Sequence, residues 1–315
     1  MESLLPSTPC SAQEVEDLVD GTLAKLTLEE CLTLLHQQVP ALPEHGLNAF
    51  RTGSEALHGV AWLGTASAFP QPVGLAATWD PELITEVGQA VSTELRAKHA
   101  ADPAHVSLNC WAPVVNPLRH PLWGRNEEGY SEDPHVTAEC ATAYAAGLRG
   151  THPVFWKTVP TLKHLLAYNN ETDRSTSSSN LPPRVLYEYD LPPFTGPIAA
   201  GAVGGVMAAY NLVNGRPAHI SKELFAAVRA HNPDLLAVSD AHAPSNLTGS
   251  ERAFATSCES HAAAVAAGLD SFTDHDSDAS GTLSALRTAL ANGLLTENAV
   301  RRAARRVLRA RALTG

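Results

Sequence analysis

The chain is poor in the patterns that mark a disulfide framework, a bound cofactor or a membrane span. Its five cysteines, Cys10, Cys31, Cys110, Cys140 and Cys258, are scattered, odd in number and never form a C-x-x-C pair. This argues against both a disulfide scaffold and a cysteine zinc site. No G-x-G-x-x-G or G-x-x-x-x-G-K-[ST] segment is present, which disfavours a dinucleotide or nucleotide fold. The fourteen histidines show no H-E-x-x-H spacing, so no zinc site is expected. No stretch approaches the roughly 18 apolar residues of a transmembrane helix. Residues Met1 to Asp20 carry Glu2, Glu14 and Glu16 and lack the apolar core of a signal peptide, so a cytoplasmic location is expected. Basic residues are also few, 22 against 33 acidic ones, for a net charge of −11. A nucleic-acid or anionic-membrane partner would need a basic face, so neither is expected.

What is present suits a large α/β domain. Apolar residues make up 44% of the 315 and charged residues only 17%, enough for a sizeable core. The length fits one (β/α)₈ barrel, typically about 250 residues before insertions. Two S/T-x-x-E capping boxes, Ser11 with Glu14 and Thr27 with Glu30, open helical patterns. Residues 1–45 are therefore expected as a helical extension packed on a barrel of residues 46–315. In that barrel the apolar runs Val73–Ala76, Val106–Trp111, Pro160–Leu165, Val203–Ala209, Leu235–Ser239 and Asp270–Phe272 read as strands. Helical patterns lie between them, at Pro81–His99, Pro134–Leu148, Arg184–Ala200, Glu223–His231, Ser257–Ala267 and Ser280–Ala291, and Glu297–Ala312 follows. Such alternation means parallel strands with crossovers.

Polar residues collect where the apolar runs end. Asp240 closes Leu236-Ala237-Val238-Ser239 and is either a nucleophile or ligand-binding group, or a cap for the next helix. Lys163-His164 can bind hydroxyls and counter a carboxylate, can form a buried pair satisfied by neighbouring acids, or can supply a Schiff-base lysine. Arg125, in Trp123-Gly124-Arg125-Asn126-Glu127-Glu128, can grip vicinal hydroxyls while Glu128 or Glu132 holds it. Glu55 and His58 lie near a glycine turn, where by themselves they are equally compatible with ordinary surface, and Tyr210-Asn211 ends another apolar run. The acidic run Asp274-His275-Asp276-Ser277-Asp278 fails as a calcium loop, because Ala279 and Ala285 stand where Gly and Glu are required. It reads as a solvated loop.

Several ordered motifs resemble one family. They are Leu26-Thr27-Leu28-Glu29-Glu30, Glu55-Ala56-Leu57-His58-Gly59-Val60, Phe69-Pro70-Gln71-Pro72 through Trp79, and Ala112-Pro113-Val114-Val115-Asn116. They continue with Trp123-Gly124-Arg125-Asn126 through Ser131-Glu132-Asp133-Pro134, Lys163-His164, Val206 through Asn211 with Asn214-Gly215, and Val238-Ser239-Asp240. From about residue 20 onward the chain resembles the N-terminal barrel domain of glycoside hydrolase family 3, the β-glucosidases and β-xylosidases. The resemblance implies a retaining exo-β-glycosidase acting on β-glucosides or β-xylosides, without a cofactor. It implies that Asp240 is the nucleophile, that Arg125, Lys163 and His164 hold sugar hydroxyls, and that Tyr210 stands beside the nucleophile. Glu55 stands where the family grips the distal hydroxyls, in a Glu-Ala-Leu-His-Gly form closer to the β-xylosidases. Ala241 departs from members with an aromatic residue there.

A retaining glycosidase needs an ionised carboxylate and a second carboxyl as acid/base. The cations Lys163, His164 and Arg125 are expected to lower the pKa of Asp240. The acid/base has no match. In two-domain members it comes from a following sandwich domain, which is expected to be absent because the chain stops at Leu313-Thr314-Gly315. The hexosaminidase branch uses a histidine after Lys-His, and Leu165 to Arg174 contains none. Glu171, Asp173 and Glu128 are candidates by proximity in sequence. The implied partners are a glycoside substrate and a domain that supplies the acid/base. The alternative is a catalytically impaired sugar-binding barrel, or a fragment lacking that domain.

Overall fold

The computed structural model describes residues 11–315, and Cys10 lies outside the described residues. Both N-terminal capping boxes form. Ser11 and Glu14 bond reciprocally at the start of α1 (Ala12–Lys25), and Thr27 and Glu30 do so at α2 (Leu28–Thr33). Each satisfies helix N–H groups that would otherwise lack partners. The chain then pairs β1 (Gln38–Val39) with β2 (Phe50–Arg51) in antiparallel fashion.

The run 73–76, expected as a strand, is one turn of helix, α3 (Pro72–Ala76). Burial shows why: Pro72, Leu75 and Ala76 are buried while Val73 and Gly74 face out, a helical period rather than an alternation. Pro72 sits at the first helical position, where its missing N–H costs nothing. The long helix α4 (Pro81–Ala101) follows, capped by Asp80. Its partner is α5 (Pro134–Arg149). The two approach through glycine: a Cβ on Gly88 would clash with the Tyr144 carbonyl, and one on Gly147 with the Thr85 carbonyl.

The central sheet is parallel, in the order β3 (Asn109–Cys110), β4 (Val159–Leu165), β6 (Gly205–Ala208), β9 (Leu236–Val238). All four strands are buried, as suits strands covered on both faces. Single bridges extend the pairing on both sides. Ser54 joins Cys110, Ser271 joins Val238, and Phe272 joins His36, beside β1. The expected strand at 270–272 is thus a pair of bridges. A small second sheet pairs β5 (Ser178–Ser179) with β7 (Leu212–Val213), and β7 with β8 (Arg216–Pro217).

The segment 184–200, expected as one helix, is broken. A short α6 (Pro183–Val185) runs into a wider turn at Leu186–Asp190, and α7 (Pro192–Ala199) restarts. Pro192 and Pro193 have no N–H to continue the earlier ladder. The remaining helices are α8 (Lys222–Arg229), α9 (Ala243–Asn246), α10 (Ser257–Ala267), α11 (Ser280–Ala291) and α12 (Glu297–Ala312). The last closes on the first. Arg305 reaches Glu16 at 2.8 Å, Asp20 at 2.7 Å and Asp234 at 3.0 Å, and Arg309 reaches Glu16 at 2.6 Å. No helix among the described residues is long and apolar enough to cross a membrane.

Candidate active site

The strand ends bring the predicted residues together. Asp240 follows β9 by two residues and is only 9% exposed. Its Oδ1 accepts the Ala241 N–H at 2.7 Å. Its Oδ2 is buried without a hydrogen-bond partner and lies 3.7 Å from His164 Nε2. Val238 bonds outward to both neighbours in the sheet, so the backbone that carries Asp240 is fixed by pairing on two sides.

Lys163 and His164 stand near the end of β4 with their side chains buried. Lys163 Nζ donates to both oxygens of Glu55, at 2.7 and 2.8 Å. Arg125 makes a two-point bond to Glu128, both contacts at 2.7 Å. Arg125 Nη2 also donates to His164 Nε2, at a long 3.4 Å. Asn116 fixes His164 from behind: its amide donates to the His164 carbonyl at 2.9 Å and accepts the His164 N–H at 2.8 Å.

These contacts correct one expectation. The Asp240 carboxyl is pushed up, not down: burial dominates, and Lys163, the Ala241 N–H and Arg125 only partly offset it. Each expected cation has another commitment. Lys163 is paired with Glu55 and Arg125 with Glu128. His164 is held well below its ordinary pKa by burial first and by the charges of Arg125, Lys163 and Arg174 second, so it is neutral.

Tyr210 lies alongside Asp240, and its hydroxyl donates to the Ala241 carbonyl at 2.8 Å. Burial first, then the charge of Asp240, raises its phenol. Sequence reasoning missed the residue that joins the walls. Tyr168 meets His164, Trp123 and Tyr210 edge to face, with ring centroids 5.2, 6.0 and 6.1 Å apart. Burial and a bond donated to Glu171 push its phenol up to about 12. Trp123 donates to the other Glu171 oxygen at 2.8 Å, and Arg174 pairs with Glu171 while lying 4.2 Å over the Tyr210 ring. Aromatic residues spaced through the loop could have signalled this, because ligand pockets are lined by aromatic and apolar side chains beside a few polar groups.

Among the candidate acids, Glu128 and Glu171 are therefore engaged by arginines, and Asp173 is exposed. The acidic run at 274–278 also differs from its reading as a solvated loop. Residues 275–278 are exposed, but Asp274 is 1% exposed, because Ser245 donates to both its oxygens and His36 bonds its carbonyl.

Residues 30–310 match the family described as Glycosyl hydrolase family 3 N terminal domain. The chain is 31% identical over 301 residues to a xylan 1,4-beta-xylosidase of Xylanibacter ruminicola, covering 91% of this chain and 34% of that protein. It is 33% identical to beta-D-xylosidase 1 of Arabidopsis thaliana, covering 89% of this chain and 38% of the relative. A GH3 exo-beta-xylosidase solved with a xylobiose aziridine activity-based probe superposes with a TM-score of 0.87 at 25% identity, covering 96% of this chain and 40% of that one. A GH3 beta-glucosidase of Bifidobacterium adolescentis superposes with a TM-score of 0.77 at 26% identity, covering 93% and 40%. The chain thus spans between a third and two-fifths of the length of these relatives.

Proposed function

The chain belongs to glycosyl hydrolase family 3, and from that membership we propose that it is the nucleophile-bearing domain of a retaining β-glycosidase. One observation carries the reading: Asp240 has one carboxylate oxygen anchored by the Ala241 N–H and the other buried without a partner. An oxygen fixed in place and left without a donor can bond an anomeric carbon, while its twin keeps the group aligned. Arg125, Lys163 and His164 surround it as donors to sugar hydroxyls, Glu55 accepts from the distal hydroxyls, and Tyr210 and Tyr168 wall the ring. The relatives' names support β-xylosides or β-glucosides as the substrate class.

In this mechanism Asp240 Oδ2 displaces the leaving oxygen, which must collect a proton. The glycosyl ester then yields to water, which must lose one. Both transfers need a carboxyl about 5–5.5 Å from the nucleophile. The arginine pairing of Glu128 and Glu171 supports an acid/base supplied by a partner domain. For the fold, a TIM-like (β/α)₈ barrel is supported by the parallel order β3-β4-β6-β9 and by the bridges that carry pairing on from Ser54 and from Ser271. Of the expected extension 1–45, residues 1–10 lie outside the described residues; we take 11–45 as packed on the barrel of 46–315, supported by the arginine pairs that join α12 to α1.

The test is covalent trapping. A 2-deoxy-2-fluoro xyloside or glucoside with a good leaving group should leave one glycosyl unit on the peptide containing Asp240, detected by mass spectrometry. Labelling at another carboxyl would overturn the assignment. Sugar binding without labelling would favour a second reading, a sugar-binding barrel, which the raised Asp240 carboxyl also supports.

A further inference from the structure

Beyond the sugar site, two loops leave neighbouring segments at the same end of the sheet. One carries His242, two residues after Asp240. The other carries Asp274 and His275, just after the Ser271 bridge to Val238. The His242 N–H donates to the Thr273 carbonyl at 2.8 Å, so the loops are joined at their base.

The Asp274 carboxylate lies between two imidazoles. His242 Nδ1 is 3.6 Å from Oδ1, and His275 Nε2 is 3.7 Å from Oδ2. Separations of 3.6 Å and more are too long for hydrogen bonds. They are close to the roughly 3.4 Å between two ligands on a tetrahedral zinc ion, given bonds of about 2.0–2.2 Å. The three ligand atoms lie within 4.8 Å of one another. Both histidines adopt left-handed backbone, φ 58° and 55°, an uncommon state for such residues. Neither ring makes a hydrogen bond among the described residues, and both are more than half exposed, so each can turn to close the remaining gap. The carboxylate, by contrast, is buried and oriented by Ser245 Oγ at 2.8 and 3.0 Å, the kind of outer support that fixes a metal ligand.

We infer that His242, Asp274 and His275 form a binding site for a borderline divalent transition ion of the zinc class. Two imidazoles and one carboxylate suit zinc better than calcium or magnesium, which take oxygen ligands. Three protein ligands leave the fourth position to water or a hydroxyl. Ligand spacing along the chain does not reveal the site, because its residues come from two distant loops. The inference does not depend on the glycosidase reading.

Calorimetric titration of the chelator-treated protein with zinc chloride, in a non-coordinating buffer, tests it. One equivalent should bind, and His242→Ala and His275→Ala should each weaken binding at least about tenfold. Both side chains are exposed, so circular dichroism should be unchanged. His135→Ala, at another exposed histidine, should leave the affinity intact. Cobalt(II) should give the visible spectrum of a four-coordinate nitrogen and oxygen site, lost in the double variant. Equal zinc affinity in the double variant, absence of binding at millimolar zinc, or equal affinity for magnesium would each overturn the inference.

Discussion

Lys163 directs its ammonium at Glu55, with both carboxylate oxygens within 2.8 Å, although Asp240 is the buried acid that needs a cation. The free site therefore holds a nucleophile whose carboxyl is raised by burial and only partly compensated. Glu55→Gln should release the lysine charge to Asp240. The acid limb of kcat/KM should then move to lower pH, while KM for the glycoside rises about 10-fold or more as the charged acceptor becomes a neutral amide. A pH–rate profile decides this, and an unmoved acid limb would show that Lys163 does not act on Asp240.

Asp240→Asn should lower turnover of an aryl glycoside by about 10⁴-fold or more and leave the circular dichroism unchanged. The same variant should be more thermostable at neutral pH. A carboxyl raised in the folded state binds its proton more tightly there than when unfolded, so wild-type stability falls as pH rises toward the folded pKa. The melting difference between Asn and Asp should therefore widen with pH. A lower melting temperature for the variant at pH 7 would contradict the burial argument.

Glu251 offers a pH test at a second buried carboxyl. Both its oxygens are buried without partners, and burial pushes its pKa up to about 8. Between roughly pH 4.5 and 8 the folded state holds a proton that the unfolded state has lost, so this group makes stability fall with rising pH. Glu251→Gln should remove that slope. Melting curves of the two proteins should agree near pH 4.5 and separate toward pH 8, with the variant more stable. Parallel curves would refute the raised pKa.

For the 315-residue chain by itself, activity should depend on the leaving group. Dinitrophenyl and fluoride groups need little protonation, whereas a sugar alcohol needs general acid help worth about 10²–10⁴-fold. Slow hydrolysis of activated glycosides, little cleavage of disaccharides and acceleration by azide are expected. Efficient disaccharide hydrolysis with a bell-shaped profile would mean that Glu128, Glu171 or Asp173 serves as the acid despite its present contacts.

Helices whose ends carry side-chain caps were legible in the sequence, as at Ser11 and Thr27, because capping is local chemistry. So were the three C-terminal helical spans Ser257–Ala267, Ser280–Ala291 and Glu297–Ala312. The run 73–76 was misread because four apolar residues are too few to separate a strand from a helical turn. At the site, residue types predicted who would gather at the strand ends. They did not predict the pairing, since Lys163 with Glu55 is a contact across 108 residues. The same limit hid the burial of Asp274, which depends on Ser245 and His36, distant in the sequence.

The arginine bridges from α12 to α1 also bear on how the chain is made. Glu16 leaves the ribosome 289 residues before Arg305 does. At about 5–20 residues per second, the first helix waits roughly 15–60 s for its ion-pair partner. Until then Glu16 and Asp20 stay hydrated and Val15 and Val19, buried in the finished fold, lack their full cover. The nascent chain thus carries an unfinished apolar stripe while those 289 residues are added, a surface that chaperones can hold. Closure of that seam waits until Arg305 has emerged.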